Sequence, residues 1–216
     1  MNPASEPPSP KALEPFTAEF FAQDPRAVAK GILGALLVSS IQGIEAGGRI
    51  VEAEAYLGSD DPGSHAATKG ITKRNAVLYG PPGSVYVYFA YGNHHMLNFV
   101  CRPQGEAGAV LVRAIEPLVG VDVMRSRRGG RPLHELANGP GKVCAALDVD
   151  LSDNATMLGE GRIVVYHWQH PRASDIEVSG RIGLSAGHDL DLRYYVRDDP
   201  FVSRGRAGVS TKRDSA

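Results

Sequence analysis

The sequence predicts one folded domain with a largely β core and short helices around it. Three observations carry that reading. The 216 residues include 25 glycines and 15 prolines, a turn-rich composition that suits strands better than a helical bundle. The stretch GSVYVYFAYGNHHMLNFVCR alternates side-chain character with the period of two expected of strands. No internal repeat and no linker interrupts residues 16 to 204.

The elements follow in order. Residues 1 to 15 are Pro-rich and polar and are expected to be disordered, as is the polar tail 205 to 216. Two short helices come next. In DPRAVAKGILG, Asp24 is placed to cap the helix and Pro25 to occupy its first position. LLVSSI reads as a strand and GGRIVEAEAYLG as a second. A polar loop from Ser59 to Asn75 holds His65 and the TKRN run.

The long alternating stretch then reads as a hairpin. Val85, Val87 and Phe89 share one face of its first strand, with Tyr86 and Tyr88 on the other. In the second strand Leu97, Phe99 and Cys101 oppose Met96, Asn98 and Val100. Gly92-Asn93 supplies the positive φ angles of a tight turn and puts Tyr91 at its tip. GAVLVRAIEP is a strand from Ala109 to Ile115 ended by Pro117. VGVDVMRSRRG and GPGKVCAALDV read as helices, and RIVVYHW and LRYYV as late strands.

Composition narrows the function classes. The formal net charge is -1, which by itself does not favour nucleic-acid binding. Basic residues nevertheless gather in TKRN, MRSRRGGR and STKRDSA, so a locally basic face is allowed. Cys101 and Cys144 are too few for a disulfide framework, which points to a reducing compartment. The opening MNPASEPPSPKALEPF lacks the apolar core of a signal peptide, and no apolar run is long enough to span a bilayer. A cytoplasmic protein is expected.

The candidate chemistry starts with VEAEAYLG. On a strand its Glu52, Glu54 and Tyr56 share a face. The two carboxylates sit about 6.5–7 Å apart at Cα, a separation suited to water-mediated displacement at a sugar carbon. The competing reading, for at least one of the two, is pairing with an arginine such as Arg49 or Arg113. Glu54 is the better base because Tyr56 flanks it and an aromatic ring excludes water and stacks planar ligands. Tyr86 reads as an ordinary packed tyrosine. Tyr91, at a hairpin tip with little to pack against, reads as a wedge between bases.

His65, His94 and His95 suggest metal at first sight. The adjacent pair points to opposite strand faces, and no further Cys/His pair has ligand spacing, so no metal is expected. GPGK lacks the rest of a Walker motif. Its backbone N–H groups and Lys142, at a helix start, suit one phosphate.

Taken together, GRIVEAEAYLG, SHAA…TKRN, GPPGSVYVYFAYGNHHMLNFV, VLVRAIEP, GPGKVCAAL and YYVRDDPFVS resemble the alkyladenine (3-methyladenine) DNA glycosylase family, from about residue 17 to 204. The resemblance implies a single mixed α+β domain with a curved antiparallel β core, a protruding β-hairpin and surrounding helices. It implies a monofunctional base-excision repair enzyme, without metal or cofactor, that flips alkylated or deaminated purines out of double-stranded DNA. It gives Glu54 the role of activating water and Arg113 that of helping to hold it. Tyr56, His65 and Tyr88 would stack the flipped base, and Asn98 would reject normal guanine. Tyr91 would fill the gap in the duplex. Asn93 stands where the family often has a bulky apolar residue. Lys142 and Arg74 would contact phosphates. The protein would act as a monomer near the nucleoid, with no membrane. Glu52 would be structural, paired with an arginine. Two other readings remain: a glycosidase of free nucleosides, and a non-catalytic lesion-binding module.

Overall fold

The computed structural model describes residues 9–67, 70–90 and 92–205. Its centre is one antiparallel sheet. The strands are β1 (Leu36–Ile41), β2 (Ile44–Tyr56), β3 (Val85–Ala90), β4 (His94–Val100), β5 (Ala109–Val119), β6 (Ile163–Tyr166), β7 (Ile176–Ser179) and β8 (Arg193–Val196). They run in the order β3-β4-β5-β2-β1-β6, with β8 added to β2 and β7 to β8.

The 13-residue β2 organises the sheet. One edge pairs with β5 along its length. The other edge pairs first with β1, from Ile44 to Arg49, and then with β8, from Glu52 to Glu54. That change of neighbour curls the sheet around the C-terminal half of β2, which carries Glu52, Glu54 and Tyr56. Bulges accompany the change: register with β5 shifts at Gly47/Gly48 and on both sides of Glu52. Gly48 is needed there, because a Cβ would lie 2.0 Å from the Glu116 carbonyl oxygen.

Helices α1 (Ala18–Phe21), α2 (Pro25–Gly31), α3 (Val121–Arg127) and α4 (Pro140–Leu147) surround the sheet. The Asp24 carboxylate accepts from the Arg26 N–H at 2.9 Å, the expected cap, with Pro25 in the first turn. The alternation of the hairpin separates two apolar clusters. Val85, Val87, Leu97 and Phe99 join the main core with Phe21, Ile50 and Val143. Tyr86 and Val100 face the other way, with Ala66, Leu78 and Ala109, and Tyr88 packs beside them.

Several expectations change. β5 runs through Pro117 to Val119, and Pro117 pairs opposite Gly48. β5 pairs with β4 only from Ala109 to Leu111, so the missing N–H of Pro117 faces an edge with no ladder to break. Strand β7 carries no clear sequence signal. The first hairpin strand ends at Ala90 and the second begins at His94. Gly92 has φ +74, whereas Asn93 keeps negative φ and donates its N–H to Ala90 at 3.3 Å. Tyr91 lies outside the described residues, as do residues 1–8 and 206–216 of the expected flanking segments. Within the lead-in, Pro10–Ala12 form a 3-10 turn and Pro15 bridges Tyr166.

Candidate active site

The second apolar cluster borders a cavity of about 320 Å³. Tyr56, His65, Arg74, Tyr86, Tyr88 and Asn98 line it, as do Leu78, Phe89 and Leu184. Each arrives by local rules. Tyr56 ends β2. Tyr86 and Tyr88 are two apart on β3 and so share its face. Asn98 is the direct cross-strand partner of Tyr86. His65 comes from the long loop, which Asn75 ties down. The Asn75 amide donates to the carbonyls of His65 at 3.1 Å and Gly70 at 3.3 Å, and accepts from the Thr72 N–H at 2.6 Å.

The walls are mutually braced. His65 Nδ1 lies 3.0 Å from the Tyr86 hydroxyl, and its ring meets Tyr88 edge-on at 4.5 Å. Burial, helped by the charge of Arg74, pushes the His65 pKa down and favours the neutral imidazole. The Asn98 amide donates to the carbonyls of Tyr86 at 3.1 Å and Met96 at 3.2 Å, which fixes its orientation. Tyr86 is packed, as the sequence suggests, and its hydroxyl also reaches His65 at the cavity wall.

Behind Tyr56 lies a buried charge cluster. Glu52 and Glu54 are both fully buried, so this part of the strand has no wet face. Glu54 Oε2 accepts from the Tyr56 hydroxyl at 2.8 Å. Its Oε1 accepts from the Ile182 N–H at 2.8 Å and lies 3.1 Å from Arg113 Nη1. Glu52 Oε1 accepts from Arg113 Nε at 2.8 Å, Arg193 Nε at 2.6 Å and Ser203 Oγ at 2.8 Å. Its Oε2 accepts from the Ser203 N–H at 2.7 Å. Burial alone would raise the Glu52 pKa, but Arg113 and Arg193 outweigh it and hold the carboxyl below its ordinary range. Burial and the nearby Glu54 charge push the Tyr56 hydroxyl well above its ordinary range, so it remains a donor.

A second buried ion pair backs Tyr56. Arg181 and Asp61 are fully buried and meet through two contacts of 2.6 Å. The Arg181 guanidinium lies 4.6 Å from the Tyr56 ring centroid and donates to the carbonyls of Ala55 and Gly187. Neither residue is apparent from sequence, because the pair joins positions 120 residues apart.

The expected phosphate ligands separate. Arg74 is exposed, lines the cavity and lies 5.3 Å over the Tyr88 ring. Lys142, in the first turn of α4, donates to Asn138 Oδ1 at 2.7 Å. Burial and the charges of Arg128, Arg131 and Arg204, opposed in part by Glu135, lower its pKa, so these charged groups lie close to one another. MRSRRGGR and GPGK thus come together. α4 also abuts the hairpin, since a Cβ on Gly141 would lie 2.8 Å from His94 Cγ. Among the described residues, no group of three or more His, Cys, Asp and Glu side chains is arranged to hold a metal ion. No helix among them is long and apolar enough to cross a membrane.

Comparison with known proteins gives this geometry a lineage. The model of the methylpurine-DNA glycosylase (MPG) family matches residues 19–200. The chain belongs to the methylpurine-DNA glycosylase family. The match to the glycosylase family takes in Glu54, Tyr56, His65, Tyr88, Asn98, Arg113 and Arg193, and stops short of Ser203. Three relatives carry the name "Putative 3-methyladenine DNA glycosylase". That of Prosthecochloris aestuarii is 40% identical over 196 residues, covering 90% of this chain and 94% of the relative. That of Carboxydothermus hydrogenoformans is 44% identical over 187 residues, with 86% and 97% covered. That of Koribacter versatilis is 43% identical over 198 residues, with 90% and 95% covered.

Proposed function

We propose that this protein is a monofunctional 3-methyladenine-type DNA glycosylase of base-excision repair. Its substrate is duplex DNA holding an alkylated or deaminated purine. The observation that carries the reading is the 2.8 Å hydrogen bond from Tyr56 to Glu54, which joins an aromatic cavity to a buried carboxylate. A flipped purine stacks among Tyr56, His65 and Tyr88. Extrusion costs a few kcal/mol, and stacking returns about 1–3 kcal/mol per base.

Glu54 Oε2 accepts one hydrogen bond in the free protein and keeps lone-pair capacity for a water proton. As Glu54 takes that proton, the water oxygen bonds to C1′ of the sugar. The C1′–N bond breaks and its electron pair leaves with the purine. Arg113 steadies the carboxylate and the developing hydroxide. Asn98, fixed by two carbonyls, crowds the 2-amino group of guanine. Lys142 and its basic neighbours take phosphates, and Arg74 serves the phosphate nearest the cavity. Tyr91 and the exposed Asn93, at the hairpin connection, fill the gap left in the duplex.

Glu54→Gln tests the reading, because Gln keeps the shape but takes no proton. Base release from single-lesion duplexes should vanish while lesion-DNA binding stays within a few fold. Near-normal release would remove Glu54 from this role. Wild-type cleavage of free nucleosides would favour a nucleoside glycosidase instead, and tight lesion binding without release a binding module.

A further inference from the structure

Arg113 is shared between two carboxylates. Its Nε holds Glu52 at 2.8 Å, its Nη1 lies 3.1 Å from Glu54, and its Nη2 donates to Ser203 Oγ at 3.4 Å. Arg193, the cross-strand partner of Glu54 on β8, also turns its Nε to Glu52. The cluster is formally neutral, with two guanidiniums against two carboxylates. Other groups facing Glu54 are the Tyr56 hydroxyl and the Ile182 N–H, with the Arg181–Asp61 pair behind the Tyr56 ring. Every charge here is buried, so each counts for far more than it would in water.

One consequence is specific. Were Glu52 uncharged, Glu54 alone would answer Arg113, the Arg193 charge on the neighbouring strand would be left unpaired, and Glu54 would be a poorer base. Glu52 draws off that positive charge and keeps Glu54 able to take a proton. Ser203 fixes how strongly it does so, since its N–H and Oγ both donate to Glu52. We propose that Glu52, anchored by Ser203, is a positioning residue that sets the basicity of Glu54 by dividing the charge of Arg113. The proposal rests on Glu54 being the base.

The experiment is single-turnover base release from a lesion duplex across pH, with wild type, Glu52→Gln, Ser203→Ala and Glu54→Gln side by side. Glu52→Gln leaves Arg113 to Glu54 and the nearby Arg193 charge unpaired. Its acidic limb should move to lower pH by about one unit, with a lower plateau. Ser203→Ala should act oppositely. Glu52 then loses a donor, its negative charge is less offset, and the limb should move to higher pH by about half a unit. A merely structural role would scale the rate equally at every pH. If Glu52→Gln fails to fold, Ser203→Ala decides alone. A limb that stays in place or moves downward in Ser203→Ala overturns the proposal. Activity retained in Glu54→Gln is a different result: it removes the catalytic reading itself and the proposal with it.

Discussion

The Tyr56 hydroxyl donates to Glu54 across 2.8 Å, so the cavity wall and the buried carboxylate form one hydrogen-bonded unit. Tyr56→Phe keeps the ring and loses the bond. The rate of base release should fall about tenfold or more, the value of one hydrogen bond to a charged group. Binding of lesion DNA should change little. Equal losses in rate and binding would assign Tyr56 to stacking alone.

The Arg181–Asp61 pair should carry stability. Asp61→Asn strands a fully buried guanidinium and should cost about 3–5 kcal/mol in urea unfolding. Adding Arg181→Met should restore part of that loss, because no charge is then left without a partner. A cost below about 1 kcal/mol for Asp61→Asn would show that water reaches the pair.

His65 predicts a pH-dependent loss. Its folded pKa is depressed, chiefly by burial. Above the ordinary value of about 6.5 both folded and unfolded forms are neutral and nothing is lost. As pH falls below it, the unfolded chain takes a proton that the folded one resists, so stability declines until the folded pKa is passed. His65→Gln should therefore lose less stability than wild type between about pH 7 and about pH 5.5, measured by urea midpoints. Parallel losses in the two proteins would contradict the neutral imidazole.

Lys142 predicts a salt effect. If it meets a phosphate, Lys142→Ala should lower the slope of log K against log salt by about 0.9 on duplex DNA. Weakened binding with an unchanged slope would make it a structural residue bonded to Asn138.

Much of the site was legible because it is local. Glu54 and Tyr56 are two apart on one strand, Tyr88 follows the same period, and the GPGK helix start declares itself. Tyr86 shared that signal with Tyr88, and its phenol reads as packing until His65 is seen 3.0 Å away. Arg181, Arg193 and Ser203 were not legible. Each reaches its partner across more than a hundred residues, and nothing in its own neighbourhood marks it. Pro117 misled for a related reason, since whether a proline ends a strand depends on which neighbour lies beside it.

The clasp of Ser203 on Glu52 joins positions 151 residues apart and sets a timetable for biosynthesis. A growing chain that has reached β5 includes Tyr56, His65, Tyr88 and Asn98 of the cavity, but it lacks Arg181, Leu184, Arg193 and Ser203. Its two glutamates then share only Arg113. The complete set of donors around Glu52 therefore waits on the last strand and the segment after it.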